Sequence, residues 1–208
     1  MNGYKGLILD FGGVLTTSVP SCAAGFDQRE GLPQGTFLNA ITADPVGRAL
    51  YADLERGAIT QVEWNERTAA LIGIDGTDLL RRVLTDLQPE PTVIDAARQI
   101  RQTGVKLGIF SNSLGLEPYN PYEPWHLDEN YDVVLISERY HLRKPDPGIY
   151  LLMMEMMQLT PQDCVFIDDT ARNLPPAEEL GMAVILATDP TSTIIQLQDL
   201  FQVPLTSK

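Results

Sequence analysis

The 208-residue chain is short of cations, cysteine and histidine, and each shortage removes a class of function. Lys and Arg number 15 against 28 Asp and Glu, a formal charge of −13. A surface of that sign does not grip phosphate backbones or anionic lipid, because both attractions need clustered cations. Neither nucleic acid nor a membrane is therefore an expected partner. The two cysteines, Cys22 and Cys164, stand far apart with no C-x-x-C pair, and there are two histidines, so neither a disulfide framework nor a Cys/His zinc site is supported. A reducing, cytoplasmic home is the expectation. No apolar run reaches the roughly 18 residues of a membrane span; the longest candidate, LLMMEMMQL, is interrupted by Glu155. The opening MNGYKGLILDFGG meets an aspartate too soon for a signal peptide, so a soluble, unprocessed chain is expected.

What is present is a globular composition, 44% hydrophobic and 21% charged. Its length suits one domain, or one with a small insertion. Short apolar runs recur at residues 4–9, 105–110, 132–137, 164–168 and 182–187. Helical periodicity precedes three of them, over 93–102, 149–159 and 173–180. Strand and helix alternating at this spacing predict an α/β fold with a parallel sheet wrapped by helices. Residues 18–90 break the rhythm: they hold no strand-like run, but show helical patterns near 46–56, 63–71 and 79–87. A helical insertion after the first strand, 18–90, within a sheet domain formed by 1–17 and 91–208, is the economical reading. Pro89 and Pro91 mark the return to the sheet.

Ligands of open parallel sheets bind outside the carboxyl ends of the strands. The polar residues that end the apolar runs are Asp10, then Ser111 and Asn112, then Asp168 and Asp169. Lys144 follows the third run in a loop stiffened by Pro145 and Pro147. Three carboxylates, a hydroxyl and a lysine on one rim suit a divalent cation and a phosphoryl group, because magnesium prefers carboxylates and lysine serves phosphate as a point charge.

The segments LILDFGGVL, IFSNS, LRKPDPGIY and VFIDDTARNLPPAEELGM, in that order, resemble the four motifs of the haloacid dehalogenase-like hydrolase superfamily. The chain looks most like the branch holding the N-terminal phosphatase domain of soluble epoxide hydrolases and bacterial sugar-phosphate phosphatases. LERGAITQVEW is similar to a stretch of that branch's small helical cap. The resemblance implies a Rossmann-like doubly wound sheet carrying a Mg2+-dependent phosphatase site for a small organic phosphate. It implies Asp10 as the nucleophile that forms an aspartyl-phosphate, and Ser111 and Lys144 as partners of the phosphoryl group. Mg2+ would be held by Asp10, the carbonyl of Gly12, and Asp168, with Asp169 in support. Asn112 and Asn173 would orient groups around them.

One residue departs from the pattern. Such phosphatases usually carry a second aspartate two positions after the nucleophile, and here that position is Gly12. A backbone carbonyl survives the change; an acid/base side chain does not. General acid/base catalysis contributes about 10²- to 10⁴-fold. With nothing in its place, a slow enzyme favouring good leaving groups is expected. Thr16, Thr17, His141, Glu30 and Glu55 are the residues available as substitutes. Two other readings stand beside a phosphatase: a catalytically weak relative that binds a phosphorylated ligand or a protein, favoured by Gly12, and a dehalogenase, disfavoured by Lys144 and the Asp168–Asp169 pair.

Blander roles also apply. Asp169 and Asn173 suit an N-cap and a first-turn residue. The methionines of 151–157 suit core packing. Asp128–Asp132 mimics a calcium loop but has Val133 where glycine is required. A Ser111/His141/Asp triad lacks the G-x-S-x-G turn that would expose its serine. The Pro- and Tyr-rich stretch 118–125 either overhangs the site or covers the sheet edge.

Overall fold

The computed structural model describes residues 3–205. Five strands, β1 (Gly6–Leu9), β2 (Lys106–Ser111), β3 (Val133–Ile136), β4 (Cys164–Asp168) and β5 (Ala183–Leu186), pair in parallel in the order β3-β2-β1-β4-β5. Each of the expected apolar runs is a strand, and the runs are continuous because both faces of the sheet are covered. Alternation sorts them. Leu7, Leu9, Leu107, Ile109, Val165 and Ile167 face one core, while Ile8, Phe110 and Phe166 face the other.

The first face is covered by α6 (Pro91–Arg101), whose Val93, Ala96, Ala97 and Ile100 recur at helical spacing, and by α10 (Pro190–Phe201). The second is covered by α8 (Pro147–Met157) and α9 (Pro175–Leu180). Met153, Met154 and Met157 of α8 are buried there, as packing residues. α6 and α10 each open with proline in the first turn behind an acidic N-cap, Glu90 and Asp189, whose side chains accept from Thr92 and Ser192 N–H. A short α7 (Leu127–Asn130) leads into β3. Asp132, the last acid of the calcium-like stretch, is engaged structurally: it accepts from Leu107 N–H at 2.8 Å and pairs with Arg101 at 2.6 Å.

The segment after β1 is helical, as α1 (Val19–Glu30), α2 (Thr36–Thr42), α3 (Pro45–Glu55), α4 (Gln61–Ile72) and α5 (Leu79–Val83). The periodicity anticipates α3, α4 and α5, although α5 tightens at its end into a 3₁₀ turn over Leu84–Asp86. It misses α1, α2 and α10. α1 carries Pro20 and Gly25 and buries a narrow stripe of Cys22, Ala23 and Phe26, too sparse for a clear period. α2 is organised from outside: buried Asp27 accepts from Gly35 N–H at 2.7 Å and Phe37 N–H at 3.0 Å. These helices gather an apolar cluster of their own around Phe26, Phe37, Leu54, Trp64 and Leu80.

Trp64 is 1% exposed at the centre of that cluster, with Phe37 and Tyr51 packed against its ring. Truncating it leaves a cavity that neighbouring helices fill only in part. Trp64→Ala is expected to lower the unfolding free energy by about 3–5 kcal/mol in urea denaturation, and Trp64→Phe by less.

Candidate active site

Strand order reverses at β1: the chain moves from β1 to β2 and β3 on one side, then crosses to β4 and β5 on the other. Asp10 and Asp168 end the two strands that meet at this switch point. The register sets Leu9 opposite Ile167, so the residues that follow, Asp10 and Asp168, emerge side by side. Asp10 N–H donates to Ile167 O at 2.9 Å, and Phe11 N–H donates to Asp10 Oδ1 at 2.7 Å. Ligand atoms of Asp10, Asp168 and Asp169 all lie within 4.8 Å of one another.

Lys144 is fully buried between them. Its Nζ donates to Asp168 Oδ2 at 2.6 Å and to Phe110 O at 2.7 Å, and lies 3.1 Å from Asp10 Oδ1. Phe110 and Phe166 flank the ammonium, their ring centroids 5.0 and 5.4 Å away. Burial opposes its charge, but Asp10 and Asp168 outweigh burial and hold its pKa above the ordinary lysine value. Its backbone is clamped as well. Asn112 Oδ1 accepts from Lys144 N–H at 2.8 Å, and Asn112 Nδ2 donates to Lys144 O at 3.1 Å. The side-chain amide of Asn112 thus serves the lysine loop.

Asp168 is fully buried and held from three sides. Besides Lys144, Thr170 N–H donates to Oδ1 at 2.8 Å, and Asn173 Nδ2 donates to both oxygens at 3.0 and 3.1 Å. Asp169 is not the N-cap residue, since Thr170 precedes a 3₁₀ turn over Ala171–Asn173 and Leu174 precedes α9, while Asn173 lies within that turn. Gly13, at φ +76°, lets the β1 loop pass against Asp169, where a Cβ would meet Oδ2 at 2.1 Å. Burial raises Asp10 above its ordinary value, Lys144 opposes, and Asp168 and Asp169 add to the rise. Burial and then Asp168 raise Asp169 in the same way.

Ser111 ends β2 with 2% exposure. Its Oγ lies 3.0 Å from the hydroxyl of Tyr122, which also donates to Asn112 O at 3.3 Å and accepts from Leu114 N–H at 3.3 Å. Tyr122 is the site residue that the sequence left undecided, within 118–125. Its ring packs on Phe11, centroids 4.7 Å apart, within the core on one sheet face, and no residue of 118–125 lines the cavity that holds Asp10. The one signal in the sequence was a cluster of tyrosine and proline with no period.

Asp10, Gly12, Ser111, Asn112, Lys144 and Asp169 line one cavity of about 160 Å³. Its opposite wall comes from the helices after β1 and is largely apolar, with Val19, Leu38 and Ile41, but also carries Glu55. A roomier cleft of about 620 Å³ lies on the far side of Asp169 and holds neither Asp10 nor Lys144. The donor set fits a hard divalent cation. Three carboxylates face one ammonium, and the buried Oδ1 of Asn173 is an acceptor without a partner among the described residues.

A family model for haloacid dehalogenase-like hydrolases matches residues 4–181. The chain is 30% identical over 212 residues to acyl-CoA dehydrogenase family member 10 of Mus musculus, covering 97% of this chain and 20% of that protein. It thus spans about a fifth of that relative's length. It is 24% identical to sesquiterpene phosphatase astK of Aspergillus oryzae, over 95% of this chain and 96% of that one. Among solved structures, a HAD family enzyme of Bacteroides thetaiotaomicron in complex with magnesium and inorganic phosphate superposes with a TM-score of 0.64. It is 20% identical, over 90% of this chain and 96% of that one. That likeness shows the shared fold.

Carboxyls held above their ordinary 3.8 bind protons more readily folded than unfolded. Their contribution to stability is therefore greatest at low pH and is lost as pH rises from 3.8 through their folded values. The melting temperature of metal-free protein is expected to fall over that range towards neutrality. Lys144→Met, which strips the buried carboxylates of their cation, should deepen the loss at neutral pH by about 3–5 kcal/mol. Thermal melts across a pH series, with and without chelator, check both.

Proposed function

This chain belongs to the haloacid dehalogenase-like hydrolase family, and on that premise we propose that it is a Mg2+-dependent phosphatase of small organic phosphates, working through an aspartyl-phosphate on Asp10. The observation that carries the reading is the convergence of Asp10, Asp168 and Asp169 within 4.8 Å around a fully buried Lys144. A nucleophilic carboxylate facing a phosphoryl dianion needs its charge offset, and one ammonium against three carboxylates leaves this site with two negative charges in excess. Asp10, the carbonyl of Gly12, Asp168 and Asp169 would hold the Mg2+, which when bound supplies the missing positive charge.

In this reading, residues 1–17 and 91–208 form the catalytic core and 18–90 a cap that roofs the cavity. Asp10 attacks phosphorus, splitting one hard displacement into two easier ones. Lys144 favours the ionised form of Asp10, orients it, and balances charge on the transferring group. Ser111 Oγ turns its one hydrogen to a phosphoryl oxygen while accepting from the Tyr122 hydroxyl beside it. Asn112 holds the Lys144 loop, and Asn173 holds Asp168. The small cavity with an apolar far wall suits an organic group of modest polarity. The near full-length likeness to a sesquiterpene phosphatase agrees with that preference.

Phosphate release from p-nitrophenyl phosphate and a panel of alkyl and sugar phosphates, measured with Mg2+ and with chelator, tests the reading. Release is expected to require Mg2+ and to vanish in Asp10→Asn. Turnover that survives Asp10→Asn overturns it. Metal-independent halide release from 2-haloacids transfers the same aspartate to attack on carbon, and ligand-induced stabilisation without turnover makes the protein a binder.

A further inference from the structure

Gly12 leaves the leaving-group oxygen without the usual acid, and the fold narrows the substitutes to one. Thr16 Oγ1 is turned back to Phe11 O and Thr17 O at 3.2 and 3.1 Å. Thr17 Oγ1 donates to Gln88 O at 3.3 Å, and both threonines line the cleft on the far side of Asp169. Glu30 is tied to Arg82, 3.0 Å between Oε1 and Nε, at the end of α1. His141 Nδ1 lies 3.1 Å from Arg56 O, and the residue does not line the cavity of Asp10. Glu55 does line it, with 4% exposure, on the wall that faces Asp10, Ser111 and Lys144.

We infer that Glu55 is the acid/base group that replaces the missing side chain at Gly12, an inference that rests on the phosphatase reading above. Its place relative to Asp10 is fixed by the core domain, not by α3 alone. The Glu55 carbonyl accepts from Ser137 Oγ, and the next carbonyl, of Arg56, meets His141. Gly57, at φ +63°, then brings the backbone so close that a Cβ would stand 3.0 Å from Glu138 O. The end of α3 is thus pinned to the loop that follows β3. Arg143 Nε lies 2.6 Å from Glu55 Oε2 but is not aligned as a hydrogen-bond donor, so this buried oxygen has a charge beside it and no donor committed to it.

The balance of the two steps is simple. As the Asp10 oxygen bonds to phosphorus and the ester P–O bond breaks, the Glu55 carboxyl gives its proton to the departing alkoxide, which leaves as the alcohol. Glu55, now a carboxylate, takes a proton from water as the water oxygen bonds to phosphorus and the Asp10–phosphorus bond breaks, restoring the Glu55 carboxyl and the Asp10 carboxylate and releasing phosphate. Burial pushes Glu55 up to about 7, against the lowering by Arg143, Arg172, a hydrogen bond from the Asn112 side chain and Lys144. Tyr51 on α3 lies in its field, and Asp10 and Asp169 line the same cavity. A carboxyl poised near neutrality serves as acid and base in turn.

Position 12 itself supplies an independent test. A Cβ built on Gly12 would meet only Val19 Cγ2, at 4.0 Å, and its φ lies outside the left-handed region, so aspartate fits there. Hydrolysis of p-nitrophenyl phosphate and of a simple alkyl phosphate, both with Mg2+, is compared in wild type, Glu55→Gln, Gly12→Asp and the double variant. Glu55→Gln is expected to slow the alkyl ester by about 10²-fold or more, and the aryl ester, whose leaving group needs less help, at least tenfold less than that. Gly12→Asp is expected to restore most of that loss in the Glu55→Gln background, and to gain far more on the alkyl ester there than it gains in wild type.

An equal fall on both esters makes Glu55 a structural partner of Arg143 and overturns the inference. So does a gain of about 10²-fold or more from Gly12→Asp in wild type, which would show that no acid was in place. That second comparison does not depend on Glu55→Gln folding. Failure of wild type to hydrolyse even the aryl ester falls instead on the phosphatase reading.

Discussion

A fully buried ammonium organises this protein. Removing a lysine from water opposes its charge by several kcal/mol, and the site returns that through Asp168 at 2.6 Å, Asp10 at 3.1 Å and the Phe110 carbonyl at 2.7 Å. Each partner belongs to a different strand: Asp10 follows β1, Phe110 lies in β2, and Asp168 ends β4. The lysine therefore draws together the three central strands where strand order reverses, and the aromatic rings of Phe110 and Phe166 exclude water from the contact. Substituting Lys144 leaves Asp10 and Asp168 as uncompensated buried charge, so the rim depends on it.

Positioning then spreads outward from Lys144. Asn112 uses both ends of its amide on the lysine backbone, and Asn173 uses its amide on Asp168. Tyr122 joins Ser111 to the segment 118–125. The helices after β1 meet this rim chiefly where the end of α3 is held by Ser137 and His141, and that is where Glu55 enters the cavity. The excess of carboxylates over cations at the rim follows the chain's overall acidity but differs in kind. At the surface such charges are solvated, whereas here burial raises the pKa of Asp10 and Asp169 and leaves room for a divalent cation.

The five strands were readable because a strand buried on both faces must be an unbroken apolar run, and Asp10, Ser111 and Asp168 were readable because each closes such a run. Lys144 was readable from its RKPDP setting. Helices α1, α2 and α10 were not, since their apolar stripes are narrow and their ends are set by distant groups such as Asp27. Tyr122 could not be singled out from a segment without periodicity, and Glu55 was one of several acids with nothing local to set it apart.

The sequence by itself determined the layered α/β architecture, the family and the residues at the strand ends, because these depend on local periodicity and on motifs read along the chain. Only the tertiary structure decided which groups share a cavity. The parallel register set Asp10 beside Asp168, and the folding back of the α3 end separated Glu55 from Glu30, Thr16, Thr17 and His141. Proximity between residues far apart in sequence is a property of packing, and no local pattern encodes which of several similar side chains the packing turns inward.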